Sequence, residues 1–250
     1  TQALLQTIPR LRPPGAVAVL GPTYEEHALC WRRCGHDVRM VEDVDALRRA
    51  DVAVIVNPNN PTGRLLPRDM LTSLAGTLAH HNGLLILDEA FADFDPDASL
   101  VPELPPGTIV LRSFGKVYGL AGLRLGFAIA PDELADRLRH ELGPWAVSGP
   151  ALAIGAAALT DQAGLDDARE RLLANAKRLD EILTRAGCTI IGGTPLFRLA
   201  ETANAAALAD RLARRGIHVR RFPYNTAWLR FGLPGREVDW QRLADALAMR

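Results

Sequence analysis

The chain carries 27 arginines but only two lysines, Lys116 and Lys177. Lys177 lies in a run of charges from Asp166 to Arg178 that has the pattern of a solvated helix face. Chemistry that needs an amine therefore falls to Lys116, which follows an apolar segment in Ser113-Phe114-Gly115-Lys116. Three more groups stand out in the same way. Asp88 closes the apolar run Leu84-Leu85-Ile86-Leu87, where a carboxylate is costly to bury unless it meets a cation or a metal. Arg124 is the single charge in Gly119-Leu120-Ala121-Gly122-Leu123-Arg124-Leu125-Gly126, and Asn60 lies in the turn-rich Asn57-Pro58-Asn59-Asn60-Pro61-Thr62-Gly63.

Parts of this set occur in other chemistries. An apolar strand ending in Asp88-Glu89 suits the magnesium-binding strand of a P-loop ATPase, but the chain lacks Gly-x-x-x-x-Gly-Lys-Ser/Thr. Ser113-x-x-Lys116 matches the nucleophile of penicillin-binding enzymes, which need a later Lys-Thr-Gly; the only later lysine, Lys177, precedes Arg178. Cys30 and Cys34, one helical turn apart with His27 and His36 nearby, lack the spacing of a fourth ligand, so no metal is expected.

The elements that must position these groups follow from the apolar pattern. Buried strands are predicted at 16–20, 52–56, 84–87, 108–111 and 125–130, with helices at 24–33 and 68–81 between them. Short apolar strands alternating with helices predict an α/β fold, a mixed and mostly parallel sheet sandwiched by helices, with functional groups where strands end. The character changes near Pro144. Helices at 151–159 and 168–186 lead into a strand at 188–191 resumed at 196–199. A helix at 205–215, strands at 217–221 and 227–231, and a last helix after Glu237 complete a small α+β domain. The expected division is thus a large domain over 1–145 and linking helices with a small C-terminal domain over 146–250.

Equal numbers of basic and acidic side chains, 29 each, give no electrostatic reason to expect nucleic acid or a membrane surface as partner. No apolar stretch is long enough to span a bilayer, no signal peptide is visible, and three cysteines cannot form a paired disulfide framework. A cytoplasmic location is expected. The chain opens without methionine inside an apparent helix, with Leu4, Leu5 and Ile8 on one face, and a missing N-terminal segment is expected.

Taken in order, Asn-Pro-Thr-Gly, Asp-Glu-Ala, Ser-x-x-Lys and an arginine further on resemble the fold-type I pyridoxal-phosphate enzymes, the aspartate-aminotransferase superfamily. The resemblance implies roles for particular residues. Lys116 would carry the cofactor, pyridoxal 5'-phosphate, and Asp88 would pair with its ring nitrogen, making both catalytic. Ser113 and Arg124 would bind its phosphate together with Thr1 and Gln2 at a helix N-terminus. Asn60 would donate to its phenolic oxygen, Tyr24 would stack on its ring, and His27 would support Asp88 from behind. Arg230 would grip a substrate α-carboxylate. Many relatives have a tyrosine three residues after the aspartate; this chain has Phe91. A homodimer of the complete protein is also implied.

Pro22-Thr23-Tyr24, Asp88-Glu89-Ala90-Phe91 and the Ser113–Arg124 stretch are similar to the branch that contains histidinol-phosphate aminotransferases and threonine-phosphate decarboxylases. Gly143-Pro144-Trp145-Ala146-Val147-Ser148 is similar to the decarboxylases of cobalamin biosynthesis, although a tryptophan buried at a domain junction would serve packing equally well. The expected substrate is a phosphorylated amino acid, with Arg220 matching a phosphate-binding arginine or standing as a solvated strand-edge residue beside Arg221. Decarboxylation of threonine phosphate is the leading expectation and amino transfer the alternative. A remnant that folds without catalysing is a third reading, opposed by the intact set Asn60, Asp88, Ser113, Lys116 and Arg124.

Overall fold

The computed structural model describes residues 1–248, which form two compact units. The first unit takes Thr1–Asn60 and Arg64–Leu165; the second takes Pro61–Gly63 and the chain from Asp166 on.

The first unit is built on a six-stranded sheet of β1 (Ala16–Leu20), β2 (Asp37–Val41), β3 (Val52–Val56), β4 (Leu84–Asp88), β5 (Thr108–Ser113) and β6 (Gly126–Ile129). Their order is β2-β1-β3-β4-β5-β6, parallel throughout except for β6, which runs antiparallel to β5. Consecutive residues of a strand face opposite sides of the sheet, and here both sides are apolar. Val17, Val19, Val52, Val54, Leu84, Ile86, Ile109 and Leu111 pack on one side. Their partners there come from α1 (Gln2–Thr7), α2 (Glu26–Arg33) and α4 (Asp132–Leu142). Ala18, Leu20, Ala53, Ile55, Leu85, Leu87 and Val110 pack on the other, against Leu71, Leu74, Ala75 and Leu78 of α3 (Arg68–Ala79). This alternation decides the direction of everything at the strand ends. Asp88 and Ser113 continue the series that faces α1 and α2, while Glu89 and Arg112 continue the series that faces α3.

The interior strands were legible as apolar runs, but β2 was not, because Asp37-Val38-Arg39-Met40-Val41 is an edge strand with exposed charges. Helix α5 (Gly149–Thr160) belongs to the first unit, since Gly155 lies against Leu125 and Phe114. The division therefore falls at 165/166, later than the change in composition near Pro144.

The second unit holds a four-stranded antiparallel sheet, order β7-β8-β10-β9, from β7 (Thr189–Thr194), β8 (Phe197–Glu201), β9 (Arg220–Phe222) and β10 (Asn225–Gly232). The expected interrupted strand at 188–199 is in fact the hairpin β7–β8. One face of this sheet is covered by α6 (Gln162–Arg185), α7 (Ala205–Arg214) and α8 (Glu237–Ala248), through Leu179, Leu183, Leu208, Leu212, Trp240 and Leu243 packed on Leu229 and Phe231. Residues 61–63 join this unit where Gly63, at φ +72°, abuts Gly193 so closely that a side chain on Gly63 would strike backbone.

Candidate active site

The polar groups of the first unit gather at the C-terminal edge of its sheet. Asp88 is 5% exposed, with Oδ1 accepting from the Ala90 amide at 3.0 Å and Oδ2 at 2.9 Å from Nε2 of His27. His27 is reached because α2 packs on the face toward which Asp88 points. Three residues after Asp88, the buried Phe91 ring stands with its centroid 5.3 Å from Nζ of Lys116, the range of a cation–π contact. Ser113 is buried at the end of β5, its hydroxyl oxygen accepting from the Gly115 amide at 3.3 Å. Lys177, by contrast, is exposed on α6.

Arg124 follows the short 3-10 turn Ala121–Leu123 with a left-handed backbone, φ +54°, and Nη1 donates to the Ala121 carbonyl at 2.9 Å. Thr1 heads α1 beside Gly126, where an added Cβ would lie 2.6 Å from the Thr1 nitrogen. Asp88, Arg124 and Lys116 all lie within electrostatic reach of the Thr1 backbone nitrogen, so these groups meet around the start of α1. Gln2 turns its side chain to Glu26, with Nε2 3.0 Å from Oε2.

Two loops flank Asp88. Tyr24, 40% exposed, meets the His27 ring edge-on at 6.2 Å between centroids. Half-buried Asn60 follows Asn59, and Asn59 closes a clasp between the loops: its Oδ1 accepts from the Thr23 hydroxyl at 2.6 Å and its Nδ2 donates to the Pro22 carbonyl at 2.9 Å. Sequence reasoning did not single out Thr23 or Asn59, each adjacent to a candidate site residue. It also missed the cluster behind Asp88, in which the Arg112 guanidinium bridges Glu89 and Asp93. Burial by itself would lower the Arg112 pKa; the two carboxylates outweigh it and raise the pKa above its ordinary value.

In the second unit Arg220 of β9 and Arg230 of β10 are directly paired in register, so their side chains share one sheet face. Arg230 also stacks over Phe197, 5.0 Å from the ring centroid, and burial followed by the charge of Arg220 lowers its pKa. Arg221 lies on the opposite face, opposite Leu229, where it forms an ion pair with Asp210 of α7. Of the two neighbouring arginines, only Arg220 shares the face of Arg230.

Trp145 is no packing residue of this chain, at 94% exposed and with φ +60°. His36 is held by the Pro9 carbonyl and the Gly15 amide rather than turned toward Cys34, and no group of three metal-binding side chains occurs among the described residues.

Residues 1–247 match the class I and II aminotransferase family. The chain belongs to that family. Among the family's curated members, the threonine-phosphate decarboxylase of Pseudomonas aeruginosa is 46% identical over 99% of this chain and 76% of its own length. A decarboxylase of the same name from a Sinorhizobium species is 44% identical, again over 99% of this chain and 75% of its own. Histidinol-phosphate aminotransferase 1 of Psychrobacter arcticus is 33% identical over 86% of this chain and 59% of its own. Among solved structures, histidinol-phosphate aminotransferase from Sinorhizobium meliloti in complex with pyridoxal-5'-phosphate superposes with a TM-score of 0.86 at 26% identity, covering 98% of this chain and 73% of that one. The architecture is thus that of the fold-type I pyridoxal-phosphate enzymes, as expected from the sequence. The chain spans about three quarters of the length of the two decarboxylases.

Proposed function

We propose that this chain is a pyridoxal-phosphate-dependent decarboxylase acting on L-threonine O-3-phosphate. The observation that carries this reading is the 46% and 44% identity to two decarboxylases across 99% of the chain, against 33% to the aminotransferase. The product, aminopropanol phosphate, would serve cobalamin biosynthesis.

The residues fit the cofactor. A buried carboxylate braced by a buried imidazole and a backbone amide suits a pyridinium nitrogen, whose positive charge it would stabilise. Ser113, Arg124 and the start of α1 around Thr1 and Gln2 would supply donors for a phosphate, and Gly126 lets the Thr1 backbone approach the end of β5 and the start of β6, where a Cβ would strike it. Asn60 and Tyr24 would bind the phenolic oxygen and stack on the ring, and Lys116 would carry the group covalently. When bound, pyridoxal phosphate supplies an electron sink for the pair left by a bond broken at the substrate Cα.

The chain's own residues then have separable tasks. Asp88, held by His27, keeps a proton on the ring nitrogen. Arg230 binds the substrate carboxylate and Arg220, on the same sheet face, binds the phosphate. Lys116 delivers the proton that replaces the lost carboxylate at Cα, so carbon dioxide leaves and one proton is taken up in each turnover. A homodimer goes with this reading. It is supported by α5, apolar along nearly its whole length yet exposing Leu152, Ile154 and Leu159, and by the exposed Trp145 just before it in the sequence. A cytoplasmic location accords with three cysteines that form no disulfide.

The full-length protein, given threonine phosphate and pyridoxal phosphate alone, should release carbon dioxide over many turnovers. Turnover of histidinol phosphate with 2-oxoglutarate, and none of threonine phosphate, would hand the chain to the aminotransferase reading.

A further inference from the structure

Behind Asp88 lies a cluster that the proposed chemistry does not use. Glu89 is 0% exposed, and its carboxylate accepts three hydrogen bonds: from the Ser99 hydroxyl at 2.6 Å, the Leu100 amide at 2.9 Å and Nη1 of Arg112 at 3.1 Å. Nη2 of the same guanidinium donates to Asp93 at 2.5 Å, and Asp93 is 4% exposed. Two buried carboxylates thus share one half-buried cation. Such clusters add little net stability, because desolvation of the charges offsets their attraction, and apolar replacements often serve as well. Their return lies in geometry, since a guanidinium fork fixes both partners in distance and angle.

What the fork fixes follows from strand alternation. Glu89 follows Asp88 at the end of β4, and Arg112 precedes Ser113 at the end of β5. The Glu89 amide also donates to the Leu111 carbonyl at 2.9 Å, which joins the same two strand ends through backbone. On the α1–α2 side of the sheet these ends present Asp88 and Ser113; on the α3 side they are riveted by Glu89 and Arg112. The Asp93, Ser99 and Leu100 contacts extend the rivet over the segment that starts at Phe91, the ring against Lys116.

We propose that the Glu89–Arg112–Asp93 cluster is a positioning device: it sets the separation of the ring-nitrogen carboxylate, Asp88, from the phosphate-side hydroxyl, Ser113, and holds Phe91 beside Lys116. The inference rests on the cofactor reading above.

Two variants test it while keeping the buried charge bearable. Arg112→Lys retains the cation but loses the fork. Glu89→Gln leaves Arg112 and Asp93 as a balanced pair and keeps the side-chain shape. Pyridoxal phosphate titrated into each apoprotein should bind about tenfold or more weakly than to wild type, because its two anchors, Asp88 and Ser113, are no longer held at the fitting separation. The urea midpoint of Glu89→Gln apoprotein should stay close to wild type, and amide exchange should quicken at Glu89 and Leu100 without a global loss of protection. Wild-type cofactor affinity in both variants overturns the proposal, as does unfolding of both, which would make the cluster a stability element. If wild-type protein binds no pyridoxal phosphate, the functional reading fails instead. Exchange in the apoprotein still decides the cluster then, because unchanged protection at Glu89 and Leu100 in both variants overturns it.

Discussion

Nε2 of His27 lies 2.9 Å from Oδ2 of Asp88, with both side chains buried, while Nδ1 of the same ring has no hydrogen-bond partner among the described residues. The contact fixes the orientation of Asp88 from behind, because the imidazole is itself held in place by burial on α2.

Asp88→Asn should leave a folded protein that still binds the cofactor but turns over roughly a hundredfold or more slowly, the scale of an electrostatic group in a water-poor site. A neutral amide does not stabilise a pyridinium charge. Steady-state rates beside a cofactor titration check this, and near-wild-type turnover would show that another group holds the ring proton.

Borohydride reduction of the cofactor-loaded protein followed by peptide mapping should place the label on Lys116. The motive is position: Lys116 lies against Phe91 near Asp88 and Arg124, whereas Lys177 is exposed on α6. Label on Lys177, or none despite bound cofactor, removes Lys116 from its proposed role.

Phe91→Tyr should change the cofactor's electronics more than the fold. A hydroxyl on this ring would add a donor to the phenolic oxygen, stabilise its anionic form, and lower the pH at which the bound cofactor's visible band titrates by about one unit. An unshifted titration would mean that the ring at position 91 does not reach that oxygen.

Arg220→Ala should raise KM for threonine phosphate by about tenfold to a hundredfold, the effect of losing one charged hydrogen bond. Arg221→Ala should leave KM near wild type, because Arg221 is committed to Asp210 on the other sheet face. Equal effects from both substitutions would reduce Arg220 to a general contributor of positive charge.

The sequence by itself determined the sheet's interior strands and the residues at their ends. A buried parallel strand must be apolar on both faces, so it reads as an uninterrupted run, and the first charged residue after it marks the edge where groups collect. Asp88 was legible for that reason, Ser113 and Lys116 through the Ser-x-x-Lys pattern that follows β5, and the ordered motifs carried the family. What only tertiary structure decided depends on contacts distant in sequence. The β7–β8 hairpin looked like one broken strand, because its turn at Thr194–Phe197 keeps apolar residues on both sides. Whether Arg220 or Arg221 shares the face of Arg230 turns on a cross-strand register that no local pattern encodes. Trp145 has the composition of a packing residue, yet it is exposed, since burial is set by what the fold brings near and not by the side chain's own preference. The clasp of Thr23 with Asn59 and the bridge from Arg112 to Glu89 join residues 36 and 23 positions apart. Neither can be read until β1, β3, β4 and β5 lie side by side, because a hydrogen bond needs a distance and sequence supplies only an order.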